Sequence, residues 1–261
     1  MAPITVGVLA LQGGVGEHIA LLRRASAHLV SSQPETLPDG TSFTFIEVRT
    51  AEALAQCHAL IIPGGESTTM AIVARRLGLL DPLRQFVKID NKPVWGTCAG
   101  LVMLAEEASA TKQGGQELVG GLDVRVLRNR YGTQIQSFVA DLDLPFLGEA
   151  EKPFRGVFIR APVVEGIIAS SSSFVDNGTE KVNGVGKGVN GNGTGKNGSV
   201  EVLGVYRKSG GKEEEDIVAV KQRNVFGTSF HPELTDDIRI HVWWLKRVLE
   251  RFRHGDLVVS A

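Results

Sequence analysis

Gly96-Thr97-Cys98-Ala99-Gly100 has the form of a nucleophile elbow. It follows the short apolar run Pro93–Gly96 and precedes the helical pattern LVMLAEEA. A sharp strand-to-helix turn with small neighbours pushes one side chain out toward a substrate. Glycines there permit both the tight bend and the close approach. At Cys98 the start of the helix favours the thiolate, and the Ala99 N–H can face a developing oxyanion. Cys57, in AQCHAL, lacks such flanks and reads as structural. A thiolate that takes an acyl group needs an imidazole to protonate the leaving group and later to activate water. Ser229-Phe230-His231-Pro232-Glu233 supplies one: His231 ends a late apolar run, and Glu233 reaches back to fix its tautomer. His18, His28, His58, His241 and His254 fall mainly on expected helices and read as structural or solvent-facing, His18 lying nearest the first-strand loop. Pro63-Gly64-Gly65-Glu66-Ser67 closes a third apolar run. Its glycines free backbone amides for a second oxyanion donor or a substrate clamp, and Ser67 has the place of a helix N-cap. Gln12-Gly13-Gly14 follows the first run on the same face, and it matches neither a dinucleotide fingerprint nor a P-loop. No zinc or calcium pattern occurs, so the chemistry is read without metal or cofactor.

These residues need a frame that brings strand ends together. Ile4–Leu11 is a short β-branched run, as a buried parallel strand should be. Helical spacing follows over Glu17–Ala27, then strands Thr41–Val48 and Ala59–Ile62, helices Thr68–Leu80 and Pro82–Ile89, and the strand before the cysteine. The elbow helix is expected over Ala99–Ala108. The second half is richer in strands: Asp123–Leu127, Gln134–Ala140, Gly156–Ile159, Val200–Tyr206, and Ile217–Lys221 leading to Val225–Phe230. A last helix runs from Asp236 to about Arg253. Alternating strands and helices imply a mostly parallel sheet covered on both faces, and in such sheets ligands bind at the carboxyl ends of the strands.

The chain has 261 residues, 43% apolar and 22% charged, with a net charge of −1. The balanced charge gives no nucleic-acid footprint, and two cysteines cannot make a disulfide scaffold. No run approaches a membrane span, and the N-terminus lacks a basic start and cleavage site. A cytoplasmic protein is expected, with no membrane association. Eight of the 31 glycines fall in NGTEKVNGVGKGVNGNGTGKNGS, residues 177–199, which cannot bury enough apolar surface to offset ordering. With its polar flanks it forms a Gly/Asn/Ser-rich insert at about 170–216, expected to be disordered and dispensable, within one domain over 1–261.

The elbow, the glycine turn and His-x-Glu resemble the class I (triad) glutamine amidotransferases. LALQGGVGEH, IIPGGESTTM, GTCAGLVMLA, RNRYGTQIQSF, GVFIRAP and FGTSFHPELTDD resemble more closely the glutaminase-subunit family of pyridoxal 5′-phosphate synthase, the PdxT/SNO family. The resemblance implies a flavodoxin-like three-layer α/β/α sandwich, its mostly parallel central sheet carrying added strands. It implies hydrolysis of L-glutamine to glutamate and ammonia, with Cys98 as nucleophile, His231 as general acid and base, and Glu233 as orienter. Gly65 and Ala99 would form the oxyanion hole. Gly65, Glu66, Ser67, Arg128, Ile159 and Arg160 would bind substrate, an arginine suiting its carboxylate and a glutamate its ammonium. The partner implied is a (β/α)₈-barrel synthase subunit that uses the ammonia for vitamin B6 biosynthesis, with Gln12 near the contact, and no cofactor is needed. Three alternatives stand beside it: a glutaminase serving another acceptor such as imidazole-glycerol-phosphate synthase, a non-catalytic regulatory member, and a cysteine peptidase on a related sheet.

Overall fold

A computed structural model describes residues 3–32, 37, 40–109, 116–128, 137–148, 152–168, 174–176 (backbone), 198–207 and 215–253. Thirteen strands and six α-helices are found among them. The first half reads β1 (Ile4–Leu9), α1 (Val15–Ser32), β2 (Phe43–Val48), α2 (Ala51–Ala55), β3 (Ala59–Ile62), α3 (Ser67–Arg76), α4 (Leu80–Arg84, continuing as a π-helical turn over Gln85–Ile89), β4 (Val94–Thr97) and α5 (Ala99–Leu104). Then come β5 (Ala105–Ser109), β6 (Leu122–Leu127), β7 (Ser137–Leu142), β8 (Phe154–Ile159), β9 (Val163–Ile168), β10 (Phe174–Asp176), β11 (Glu201–Arg207), β12 (Glu215–Gln222), β13 (Val225–Thr228) and α6 (Arg239–Arg253).

The sheet runs β2-β1-β3-β4-β13-β12-β9-β6-β5, with β10 on β9 and β11 on β12. Its first five strands are all parallel. From β13 onward the pairing turns antiparallel, except that β5 lies parallel to β6. β7 and β8 form a separate hairpin. The short, fully buried strands explain why their sequences are continuous apolar runs rather than alternating ones. Their side chains point by turns to two cores. Leu60, Ile62 and Val94 join Met70, Leu83 and Leu101 under α2–α5. Ala59, Ile61 and Trp95 join Leu22, Leu29 and Trp244 under α1 and α6. The result is the expected α/β/α sandwich, each buried Leu or Ile contributing about 1.5–3 kcal/mol.

Three expectations need correction. The elbow helix stops at Leu104, and Ala105–Ser109 pairs as a strand with β6, with Glu107 accepting from Arg125 at 2.6 Å across the pair. Ala-Glu-Glu-Ala has good helix propensity, but that preference is weak and sheet pairing outweighs it. Second, β9 and the five-residue helix α2, capped by the Thr50 hydroxyl, were not expected at all. Third, the stretch 170–216 is not disordered throughout. β10 pairs with β9 inside it, while β11, antiparallel along β12, is the strand expected over Val200–Tyr206. Residues 177–197 and 208–214 lie outside the described residues, as does the Gln134–Gln136 start of the expected strand.

Candidate active site

Strands β4 and β13 lie side by side in register, Gly96 against Gly227 and Thr97 against Thr228. Cys98 and His231 therefore leave the same edge of the sheet from neighbouring strands. The Cys98 N–H donates to Thr228 O at 2.8 Å, which fastens the elbow to the strand that leads to His231. Cys98 itself sits at φ 49° and ψ −107°, a strained left-handed conformation for a side-chain-bearing residue. The flanking glycines make this bend possible. A Cβ on Gly96 would lie 2.4 Å from Gly100 O, and one on Gly100 would lie 1.9 Å from Ile62 O.

His231 is held from two sides. Its N–H donates to Val157 O at 2.8 Å, joining the histidine turn to the middle of β8. Its Nδ1 meets Glu233 Oε1 at 2.7 Å, the carboxylate being carried by the 3₁₀ turn Pro232–Leu234. Burial disfavours a charged ring here, but hydrogen bonds to Cys98 and Glu233, and their charges, outweigh it and push the His231 pKa up to about 10. Burial likewise opposes charge on Glu233, and the bond from His231 with the nearby imidazoles keeps its carboxyl below the usual range. Cys98, only 6% exposed, lies close enough to His231 to raise its proton affinity.

A cavity of about 100 Å³ opens over the elbow, lined by Gly65, Glu66, Ser67, Cys98, Ala99, Val102, Arg128, Ile159, Arg160 and Pro162. It thus brings together every residue expected to bind substrate, with the nucleophile at its wall. A roomier hollow of about 270 Å³, lined by Pro93, Trp243 and Arg247 among others, holds neither cysteine and has no part in this chemistry. Glu66 accepts from the N–H groups of Thr68 (3.1 Å) and Thr69 (2.7 Å) and from Arg128 at 2.9 Å. Partial burial would raise its pKa, but the Thr69 and Thr68 hydrogen bonds prevail and bring it down to about 2. Glu66 rather than Ser67 is therefore the N-cap of α3, which corrects the expectation. The reason is reach: a Glu side chain in extended backbone can span two N–H groups at once. Ser67 instead donates to Gln116 Oε1 at 3.1 Å. Arg160, at φ 47°, follows β8 directly, so the β7–β8 hairpin presents it beside Ile159 at the cavity rim. Gln12 Oε1 accepts the Glu66 N–H at 2.8 Å, and Gly65 at φ 148° has no room for a Cβ against that side chain. Gln12 thus touches the substrate turn from the loop after β1.

Sequence reasoning missed Gln116, which steadies Ser67, and the buried cluster of His18, Thr97 and His241 behind Glu233. Gln116 left no local signal. His18 did leave one, a polar residue on the apolar stripe Ile19, Leu22, Ala25 of α1.

A strained small-residue elbow on a parallel sheet, with an imidazole–carboxylate pair alongside, is the arrangement that a cysteine-dependent acyl transfer would need. Comparison with known proteins narrows this. Residues 8–190 and 196–250 match the model of the SNO glutamine amidotransferase family, and the chain belongs to that family. It is 45% identical over 95% of its length to a probable pyridoxal 5′-phosphate synthase subunit PDX2 of Arabidopsis thaliana, covering 87% of that protein. It is 39% identical to the pyridoxal 5′-phosphate synthase subunit PdxT of Pyrococcus furiosus, over 94% of this chain and all of the relative. Among solved structures, a crystal structure of a glutamine amidotransferase superposes with a TM-score of 0.63 at 35% identity, over 93% of this chain and 98% of the other.

Proposed function

We propose that the chain is the glutaminase subunit of a pyridoxal 5′-phosphate synthase, hydrolysing L-glutamine and passing the ammonia to a synthase subunit. The observation that carries this reading is the single cavity that joins Cys98 to a facing acid–base pair, Glu66 with Arg128. A free α-amino acid presents the matching pair: its ammonium suits Glu66, and its carboxylate suits the remaining donors of Arg128 and Arg160. Gly65, Ser67 and Ile159 complete the wall.

In the proposed reaction, Cys98 Sγ attacks the side-chain carboxamide carbon of glutamine while imidazolium His231 stands beside it. The tetrahedral oxyanion takes hydrogen bonds from the Ala99 and Gly65 N–H groups, Ala99 being in the unpaired first turn of α5. His231 donates its proton to the amide nitrogen, the C–N bond breaks, and ammonia leaves behind a Cys98 thioester. The thioester no longer carries thiolate charge, so one cause of the raised His231 proton affinity is gone. The now neutral imidazole takes a proton from water, whose oxygen attacks the thioester, and glutamate departs as Cys98 regains its thiolate. Glu233 holds the ring in one tautomer throughout. The names of the relatives, synthase subunits at 34–45% identity, support the destination of the ammonia. Gln12, linked to the Gly65–Glu66 turn, is the proposed place where a partner's docking reaches the oxyanion donor. One glutaminase domain acting in the cytoplasm fits this reading; no described helix is long and apolar enough to cross a membrane. The test is glutamate release from glutamine, with and without a synthase partner, by native protein and Cys98→Ala. Thiol-dependent release stimulated by the partner is expected. Equal release by Cys98→Ala overturns the reading.

A further inference from the structure

Behind Glu233 lies a buried line of polar side chains that the three-residue machinery does not use. Glu233 Oε1 is occupied by His231, but Oε2 has no hydrogen bond among the described residues. It faces His18 Nε2 at 3.4 Å, an ionic approach about half an ångström too long for a formed bond. The same nitrogen is 3.4 Å from Thr97 Oγ1, and His18 Nδ1 is 3.1 Å from His241 Nε2. Trp95 closes the site edge-on to both rings, with centroids 5.7 and 4.9 Å away. His18 comes from the first turn of α1, Thr97 from β4 and His241 from α6, so three elements meet at the imidazole that faces the carboxylate.

Burying two imidazoles completely is costly unless their hydrogen bonds are arranged. Desolvation holds both neutral, with pKa values brought down to about 3. For His18 the Glu233 charge opposes this, while His241 and His231 add to it. Neutral rings have one proton each, and the carboxylate decides where it sits. A carboxylate only accepts, so the His18 proton belongs on Nε2, leaving Nδ1 to accept. His241 must then carry its proton on Nε2, and its Nδ1, which has no partner among the described residues, is the bare nitrogen. On that assignment each ring carries its proton on the nitrogen that faces the next group toward Glu233. An apolar side chain would fill the same space without the desolvation cost, so filling space does not explain two histidines.

We propose that His18, backed by His241, is a positioning residue for the glutaminase reaction: its Nε2–H aims at Glu233 Oε2 and stops the carboxylate from rotating away from His231. The inference rests on the glutaminase reading. The titratable groups facing Glu233 are His231 on its own turn and His18 on α1, with His241 behind on α6.

The experiment compares His18→Leu and His18→Gln in the full chain with a synthase partner, following kcat, KM, pH profile and thermal unfolding. A glutamine side chain can place an amide N–H near the position of Nε2, and leucine cannot. His18→Leu is expected to lower kcat several-fold through loss of the contact that braces the carboxylate, with KM for glutamine nearly unchanged. The alkaline limb of its pH profile moves to lower pH, because a rotated carboxylate no longer supports imidazolium His231. His18→Gln recovers most of the kcat and the profile. Native kcat and profile in His18→Leu, or equal losses in both variants, overturn the inference. Should neither variant fold, nitrogen NMR of the native chain decides. A neutral His18 protonated on Nε2 at pH 7 is expected, and an Nδ1–H tautomer or an imidazolium refutes it. Absence of Cys98-dependent glutamate release in native protein would instead count against the glutaminase reading and leave the tautomer result standing.

Discussion

Gly64→Ala is a small change with a large predicted cost. A Cβ at Gly64 would lie 2.4 Å from His231 Cε1 and 3.0 Å from its Nδ1. Carbon atoms pack at about 3.5 Å, so the ring must retreat by about 1.1 Å. It cannot retreat freely. Its Nδ1 is bound to Glu233 at 2.7 Å and its backbone to Val157 at 2.8 Å. Either the Glu233 bond lengthens or the ring leaves the thiol. A displacement near 1 Å at reacting groups costs about a hundredfold in rate, which is about 2.7 kcal/mol of barrier. Overpacking also costs about 1–3 kcal/mol of stability. Partner-stimulated glutamate release should therefore show kcat down about a hundredfold, with KM barely moved and the chain still folded by circular dichroism. Gly16→Ala is the control, since open space surrounds that position on α1. It should keep full activity and gain up to about 1 kcal/mol of stability. A Gly64→Ala enzyme within about threefold of native kcat would show that the ring is not pinned as described.

Two further outcomes follow from charge. The His231 proton affinity is raised from 6.5 to about 10 in the fold. Its stabilising contribution is thus complete below about pH 6.5, declines through the window and is lost above about 10. Urea midpoints measured from pH 6 to 10 should fall more steeply for native protein than for Glu233→Gln, which lacks one cause of the shift, and parallel slopes would contradict this assignment. Glu66→Ala removes the cap of α3 and the partner of Arg128, and should cost about 1 kcal/mol of stability. It should also raise KM for glutamine more than it lowers kcat, and an unchanged KM would remove Glu66 from the binding site.

The elements that hold the site were legible because their signals are local. Short apolar runs ending in Gly64-Gly65 or Cys98 announce buried parallel strands and the loops at their carboxyl ends. What escaped depends on pairing between distant segments. Ala105–Ser109 is locally helical in composition and becomes a strand only because β6 offers an open edge. Ser67 looked like a cap because capping serines are common, and the longer Glu66 reached the same amides first. His18 and His241 are 223 residues apart, and no spacing rule connects them. Glu233 was readable as the partner of His231, but the approach of His18 to its second oxygen was not.

The 2.8 Å tie between the His231 N–H and Val157 O has a consequence for how this enzyme can change over time. β8 carries the main-chain group that supports the proposed general base and, three and two residues on, Arg160 and Ile159 at the rim of the substrate cavity. Recognition and proton delivery thus share one mechanical mount. An alteration that slides the β7–β8 hairpin to admit a different amide will also displace the imidazole. Selectivity for the nitrogen donor and speed of turnover are then inherited as a single trait. Diversification should accumulate away from that hairpin, at Val102 on the cavity wall and at Gln116 behind Ser67, where side chains can be exchanged without moving His231.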